Sequence, residues 1–286
     1  MKHSLANHHK QSGLSIIELM IAVTIGLFLL TGIATSYITS VKSSSNRDQS
    51  SMLEDNARLA LDVITKSLEH TGYANGLTIE NRFVEKRATI IEESCGSGFK
   101  NVLDQDIFPK KSTFDFVDAD GVATGDSITT VYLGDNRLNT DCAGGVLVSD
   151  CRLASGVTEN ARIYNSFFLA KDANDSLLCA GSQQTKEQVV AEGIENIQIL
   201  YGVDSGAAAG TDLKIDRFVN ARELFAKGLE SSVVSIQVAL LVRSLLPVNT
   251  KAESKKFKLL DVEYTSATDR YRREVFTTTI RLRNTL

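Results

Sequence analysis

Few residues of this 286-residue chain are placed to do chemistry. The first is Glu18, the one formal charge in the twenty-eight residues from Leu14 to Val41. A carboxylate costs about 2.5–3.5 kcal/mol at a bilayer centre, so one kept within an apolar run points to a task such as pairing with a cation. A second group is Asp118-Ala119-Asp120-Gly121 with Asp126, which follows the opening of a calcium-binding loop. The closing Glu of such a loop is missing, because Thr129 stands in its place. An acidic turn between strands competes with the ion site, and the expectation is no cofactor, with calcium at Asp118, Asp120 and Asp126 as the weaker alternative. The loop carrying Asp204, Gly206, Gly210 and Asp212 reads as a turn.

Nucleophilic catalysis lacks its parts. Three of the four histidines (His3, His8 and His9) lie at the extreme N-terminus, leaving His70 with no second imidazole for a triad or a zinc site. Ser94-Cys95-Gly96-Ser97-Gly98 therefore reads as half of a disulfide rather than as a nucleophile. No G-x-x-x-x-G-K loop occurs. The net charge of −4, without a basic cluster, argues against a nucleic-acid partner. Cys95, Cys142, Cys151 and Cys179 contain no C-x-x-C pair, and an even count beyond an apolar anchor reads as two disulfides. Cys151–Cys179 is favoured because the stretch between them reads as a strand and a turn that returns the chain. Cys95–Cys142 is then left over, and Cys142–Cys151 closes a short loop equally well. The Arg272-Arg273 pair beside Glu274 reads as a solvated strand edge, with a subunit contact as the other possibility.

The elements that must position these groups begin with Leu14–Val41. As a helix it spans about 42 Å, more than the ~30 Å hydrocarbon core of a bilayer. Lys2 and Lys10, with no acid before Gly13, keep the N-terminus cytoplasmic. After a polar stretch at Ser43–Gln49, Leu53, Ala57, Ala60/Leu61, Ile64 and Leu68 recur at spacings of three and four. Glu54, Arg58, Asp62, Lys66 and Glu69 cover the other faces. With no proline before Gly72, the spacing predicts one helix from Leu14 to about Gly72, a residue suited to a left-handed stop. Gly26 and Gly32 are its points of flexure. Two helices broken at Ser43–Asn46 is the alternative, since Ser and Asn weaken helix interiors.

From Leu77 onward short alternating runs predict strands at Ala88–Ile91, Ser127–Leu133, Gly145–Val148, Ile163–Leu169, Ile194–Tyr201, Val233–Val242 and Val275–Leu282. Asp216–Lys227 reads as a short amphipathic helix with Phe218, Ala221 and Leu224/Phe225 on one side. The helix stripe needs an apolar surface, and one face of an antiparallel sheet supplies it. The expected fold class is α+β.

Gly13-Leu14, an apolar run and Glu18 together resemble the type III signal of type IV pilins and pseudopilins. Glu54-Asp55-Asn56-Ala57-Arg58-Leu59-Ala60-Leu61 with Thr71-Gly72-Tyr73, the stretch Glu192–Asp204, and the blocks Val233–Ser244 and Tyr271–Leu286 narrow the resemblance to PilW-type minor pilins. The middle, about residues 80–180, matches loosely. The family has Phe more often where this chain has Leu14. The resemblance implies a pilin-like fold, with a long N-terminal helix, half membrane-embedded and half amphipathic, packed on an antiparallel sheet. It implies a leader at 1–13, an assembly helix at 14–41, its amphipathic continuation at 42–72 and a β-rich head at 73–286. A prepilin peptidase would cut between Gly13 and Leu14 and methylate the amine of Leu14. Loss of the two leader lysines takes the net charge from −4 to −6. Glu18 would then pair with a neighbour's N-terminal amine during assembly.

The implied partners are that peptidase, other minor pilins, the major pilin and the inner-membrane assembly platform. The implied location is a single pass through the inner membrane with a periplasmic head, then the pilus tip. A type II secretion pseudopilin shares the same physics. An ordinary secretory signal or a plain anchor would require Glu18 to have no task, and an anchored adhesin would require a basic or aromatic patch on the head.

Overall fold

The computed structural model describes residues 15–73, 125–147, 162–170, 174–183, 187–206 and 213–284. One helix, α1, runs from Ile16 to His70, 55 residues. It is continuous through the Ser43–Asn46 stretch and through Gly26 and Gly32. The chain divides into two compact units, Met1–Asp48 and Gln49–Leu286. The first is described from Ser15 onward and is helical from Ile16.

In the second unit the predicted stripe is the buried face of α1. Leu53, Ala57, Ala60, Ile64 and Leu68 are each at most 1% exposed. Burying a Leu or Ile side chain contributes about 1.5–3 kcal/mol, and this stripe joins one core with Ile197, Ile199, Ile236, Val238 and Leu240. Glu54, Arg58, Asp62 and Lys66 stay in water as expected. The helix stops where Gly72 takes a φ of 77°, a left-handed conformation that suits glycine. The Gly72 N–H then donates to the Val131 carbonyl at 2.9 Å, and the Tyr73 carbonyl accepts from the Leu133 N–H at 2.8 Å. The exit of the helix is thus stitched to a strand edge.

Two four-stranded antiparallel sheets follow. The first has the order β1-β2-β3-β4, formed by Ile128–Leu133, Arg162–Ala170, Ser176–Gly181 and Gln188–Ala191. The second has the order β10-β7-β5-β6, formed by Arg273–Arg281, Val233–Arg243, Ile194–Val203 and Arg217–Val219. Among the described residues a hairpin of β8 (Lys256–Leu259) and β9 (Val262–Thr265) completes the set. The architecture is α+β, as the sequence predicts. In β7 both faces are buried: Ile236, Val238 and Leu240 enter the main core. Ala239 and Leu241 point the other way, under Leu259, Phe257 and Tyr264 of the hairpin segment.

Five predicted strands are present, each within two residues of its expected ends: β1, β2, β5, β7 and β10. Ala88–Ile91 lies outside the described residues. Gly145–Val148 is corrected: Val146 makes only an isolated bridge to Thr140, and Val148 lies outside the described residues. The side chain of Asp141 explains this, since it gathers the N–H groups of Ala143 and Gly145 into a tight turn. Asp216–Lys227 is also corrected. Phe218 pairs with Gly202 in β6, and helix α2 begins only at Ala221 and ends at Ala226, with Asn220 accepting the Glu223 N–H as its cap.

Candidate functional site

Glu18 lies in the first turn of α1, just after Ser15 accepts the Leu19 N–H at 3.1 Å. Around it the apolar side chains have no cover. Ile16 is 80% exposed and Phe28 81%, and Ile17, Leu19, Met20, Leu27, Leu30, Ile33 and Val41 are exposed as well. By length and composition this helix can cross a membrane. Its polar side chains are adapted to an apolar setting. Thr24, Thr31, Thr35 and Thr39 each donate the hydroxyl to a carbonyl three or four residues earlier, at 2.8–2.9 Å. Satisfied in this way, the hydroxyls ask nothing of a lipid or helix neighbour. Glu18 is the exception, a full charge on an apolar exposed helix, and such a charge requires a cation. Gly13 and Leu14 lie outside the described residues.

The second unit holds α1 from Gln49 onward. Gln49 accepts the Leu246 N–H at 2.9 Å, and Arg272 donates to the Ser50 hydroxyl at 3.0 Å. Asn56 donates to the Glu192 carbonyl at 3.0 Å. At the far end Arg283 donates to the Glu69 carboxylate at 2.8 Å, and Asn284 donates to the Glu69 and Thr71 carbonyls. His70 packs edge-on against Tyr132, and burial lowers its pKa.

The cysteine expectation is overturned. Among the described residues a disulfide joins Cys142 to Cys179, with Cα atoms 6.1 Å apart. Neither Cys151–Cys179 nor Cys95–Cys142 can therefore form; Cys95 and Cys151 lie outside the described residues. The deciding contacts are polar. Asn165 on β2 accepts the Cys142 N–H at 2.9 Å, and Asp141 accepts the Gln183 N–H at 2.6 Å just past β3. Together they lay the Cys142 turn against the strand that carries Cys179. Non-reducing peptide mapping should recover Cys142 linked to Cys179, and a Cys151–Cys179 peptide would contradict this arrangement.

The same turn explains Gly181. A Cβ there would stand 2.1 Å from the Asp141 carboxyl group, which is held by three backbone N–H groups and cannot swing aside without losing them. Gly181→Ala should cost about 1–3 kcal/mol, as overpacking does, read as a lower denaturant midpoint of the extracted chain.

Of the calcium candidates, Asp118 and Asp120 lie outside the described residues. Asp126 is engaged with the backbone: its N–H donates to the Ile197 carbonyl and its carboxylate accepts the Ile199 N–H, both at 2.8 Å. It ties the segment entering β1 to the neighbouring sheet. Arg273 is corrected too. It is a buried cation, its side chain 4% exposed, paired with Glu195 and Asp269, whereas Arg272 is half-exposed and pairs with Glu274.

This geometry, an exposed apolar helix with one acid in its first turn continuing into a buried stripe under antiparallel sheets, defines a type IV pilin-like protein. Two family models agree with this class. Residues 8–34 match the prokaryotic N-terminal methylation motif. Residues 166–284 match the family described as type IV pilus-assembly protein W, so the chain carries a PilW domain. A type IV-like pilin from Thermus thermophilus is similar at 13% identity over 81% of this chain and 96% of that one, with a TM-score of 0.41. No curated protein matches the sequence. The class is structural rather than enzymatic, and its methylation motif implies processing by prepilin peptidase and association with pilus components.

Proposed function

We propose that the chain is a minor pilin that joins a priming or tip complex of a type IV pilus. Prepilin peptidase removes residues 1–13 and methylates Leu14. Residues 14–41 anchor the chain in the inner membrane, 42–72 continue the helix, and 73–286 form a periplasmic head that ends at the pilus tip. The observation that carries this reading is Glu18, alone on an exposed apolar helix. A neighbouring subunit's free N-terminal amine is the cation that such a bundle offers it.

Head size supports a minor role. Roughly 200 residues beyond Gly72 are easier to place at a tip than around every subunit of a shaft. Other minor pilins, the major pilin and the assembly platform are then its partners. Cells lacking the chain should show several-fold fewer surface pili, and a tagged chain should appear in sheared pili far below the major pilin in copy number. Unchanged pili with the tagged chain absent from them would contradict the proposal.

A further inference from the structure

Residues 244–272 leave β7 and return to β10, two strands that already pair throughout β10. The sheet does not need this excursion, and its backbone bonding is self-contained. At its neck the Ser244 N–H donates to the Arg272 carbonyl at 2.9 Å, and the Ser244 hydroxyl accepts the Arg272 N–H at 3.1 Å. Further out the Val248 and Asn249 N–H groups donate to the Arg270 carbonyl, and Glu253 bridges Asp269. The β8–β9 hairpin closes the tip. Leu259 is the one buried apolar side chain of the segment, seated on Ala239 and Leu241 of β7 beside half-buried Phe257, Leu260 and Tyr264. This cluster is separate from the main core.

The ionic contacts are divided so that the segment can leave. Arg273 takes one carboxylate from the sheet, Glu195 of β5, and one from the segment, Asp269 at 2.6 Å. Arg243 takes Asp175, in the turn before β3, and only its stacking partner Tyr271 belongs to the segment. Lifting residues 244–272 therefore strands neither guanidinium, the step that makes breaking a buried pair costly. Local opening is cheapest where apolar burial is small and hydrogen bonds are internal. We propose that residues 244–272 form a strap that opens as a unit while both sheets stay folded, and that its closure clamps α1 at Gln49. Gln49 is the first residue of the second unit, 7% exposed, and its side chain accepts the Leu246 N–H at the base of the strap. The strap is the part of the head that can release the helix there. This inference concerns the head alone and stands apart from the assembly role proposed above.

Hydrogen exchange of the full chain in detergent, read by mass spectrometry, tests it. Peptides from β8 and β9 should exchange at least tenfold faster than peptides from β5 and β7. Asp269→Asn cuts the strap's ionic hold and leaves Glu195 on Arg273. It should speed the strap peptides about tenfold further, the worth of a hydrogen bond to a charged group, with β5 and β7 unchanged. Gln49→Ala should speed β8 and β9 severalfold, although its bond is to Leu246. Strap peptides exchanging in step with β5 and β7, or an Asp269→Asn that speeds all of them equally, would overturn the strap. Acceleration by Gln49→Ala confined to the residues around Leu246 would overturn the clamp.

Discussion

Glu18→Val should leave membrane insertion and cleavage after Gly13 intact while removing the chain almost completely from sheared pili. Valine is more apolar than glutamate, so the helix of Ile16 to Val41 inserts at least as well. What the variant loses is the partner for a neighbour's N-terminal amine. Breaking a buried pair by deleting one member costs about 3–5 kcal/mol, because the remaining charge is stranded. At 1.4 kcal/mol per factor of ten, that is a loss of over a hundredfold in incorporation. Immunoblots of membrane and sheared fractions, with the mass of the membrane-bound form, separate the two steps. Wild-type levels of the variant in pili would show that Glu18 carries no assembly role.

The second large effect belongs to the head. Register sets Arg273 of β10 directly opposite Arg243 of β7, and like charges so placed repel. Carboxylates from separate segments resolve the conflict. Glu195 and Asp269 hold Arg273, and Tyr264 donates to Glu195 at 3.1 Å. Asp175 accepts from Arg243 at 2.7 Å while that guanidinium stacks over Tyr271, 4.5 Å from the ring centre. Glu195→Ala should destabilise the head by about 1.5–3 kcal/mol, the worth of hydrogen bonds to a charged group, because Asp269 still pairs with Arg273. Replacing both members, Glu195→Leu with Arg273→Met, should recover part of the loss, since the buried guanidinium leaves together with its carboxylate and only the partly exposed Asp269 loses its cation. Denaturant midpoints of the single and double variants decide it; equal losses in both would mean packing, not charge, is responsible.

The pH dependence follows from the same node. The hydrogen bond from Arg273 holds the Asp269 pKa below its ordinary value. Its stabilisation is therefore complete above the unfolded carboxylate range, near pH 4, and is lost as pH falls below that through the lower folded pKa. Asp269→Asn should flatten the acid limb of the stability curve and lower stability at neutral pH.

Local patterns carried much of the fold into the sequence. The three-and-four spacing from Leu53 to Leu68 marked the buried helix face, and alternation in β7 and β10 marked strands, because both periods are properties of the backbone. β3, β4, β8 and β9 were missed for physical reasons. Ser176–Gly181 is buried on both faces and so does not alternate, while Gln188–Ala191 and the hairpin strands are only four residues long. The disulfide and the Arg273 node were illegible for another reason. Cys142 and Cys179 are 37 residues apart and are joined through Asp141 and Asn165, while Glu195 and Arg273 are 78 apart. No local spacing reports such contacts. Arg272, Arg273 and Glu274 read as a charged edge, and only the register of β10 on β7 separates the buried arginine from the exposed one. The candidate site was the most legible part, because a lone acid in an apolar helix conflicts with its surroundings on sight.

The most direct test of the central claim is the intact mass and N-terminal sequence of the membrane-extracted chain, from cells with and without a working prepilin peptidase. The account predicts a chain beginning at N-methylated Leu14 when the peptidase is active and the uncut leader when it is absent. A chain that stays uncut in both, or one cut beyond Val41, would contradict it.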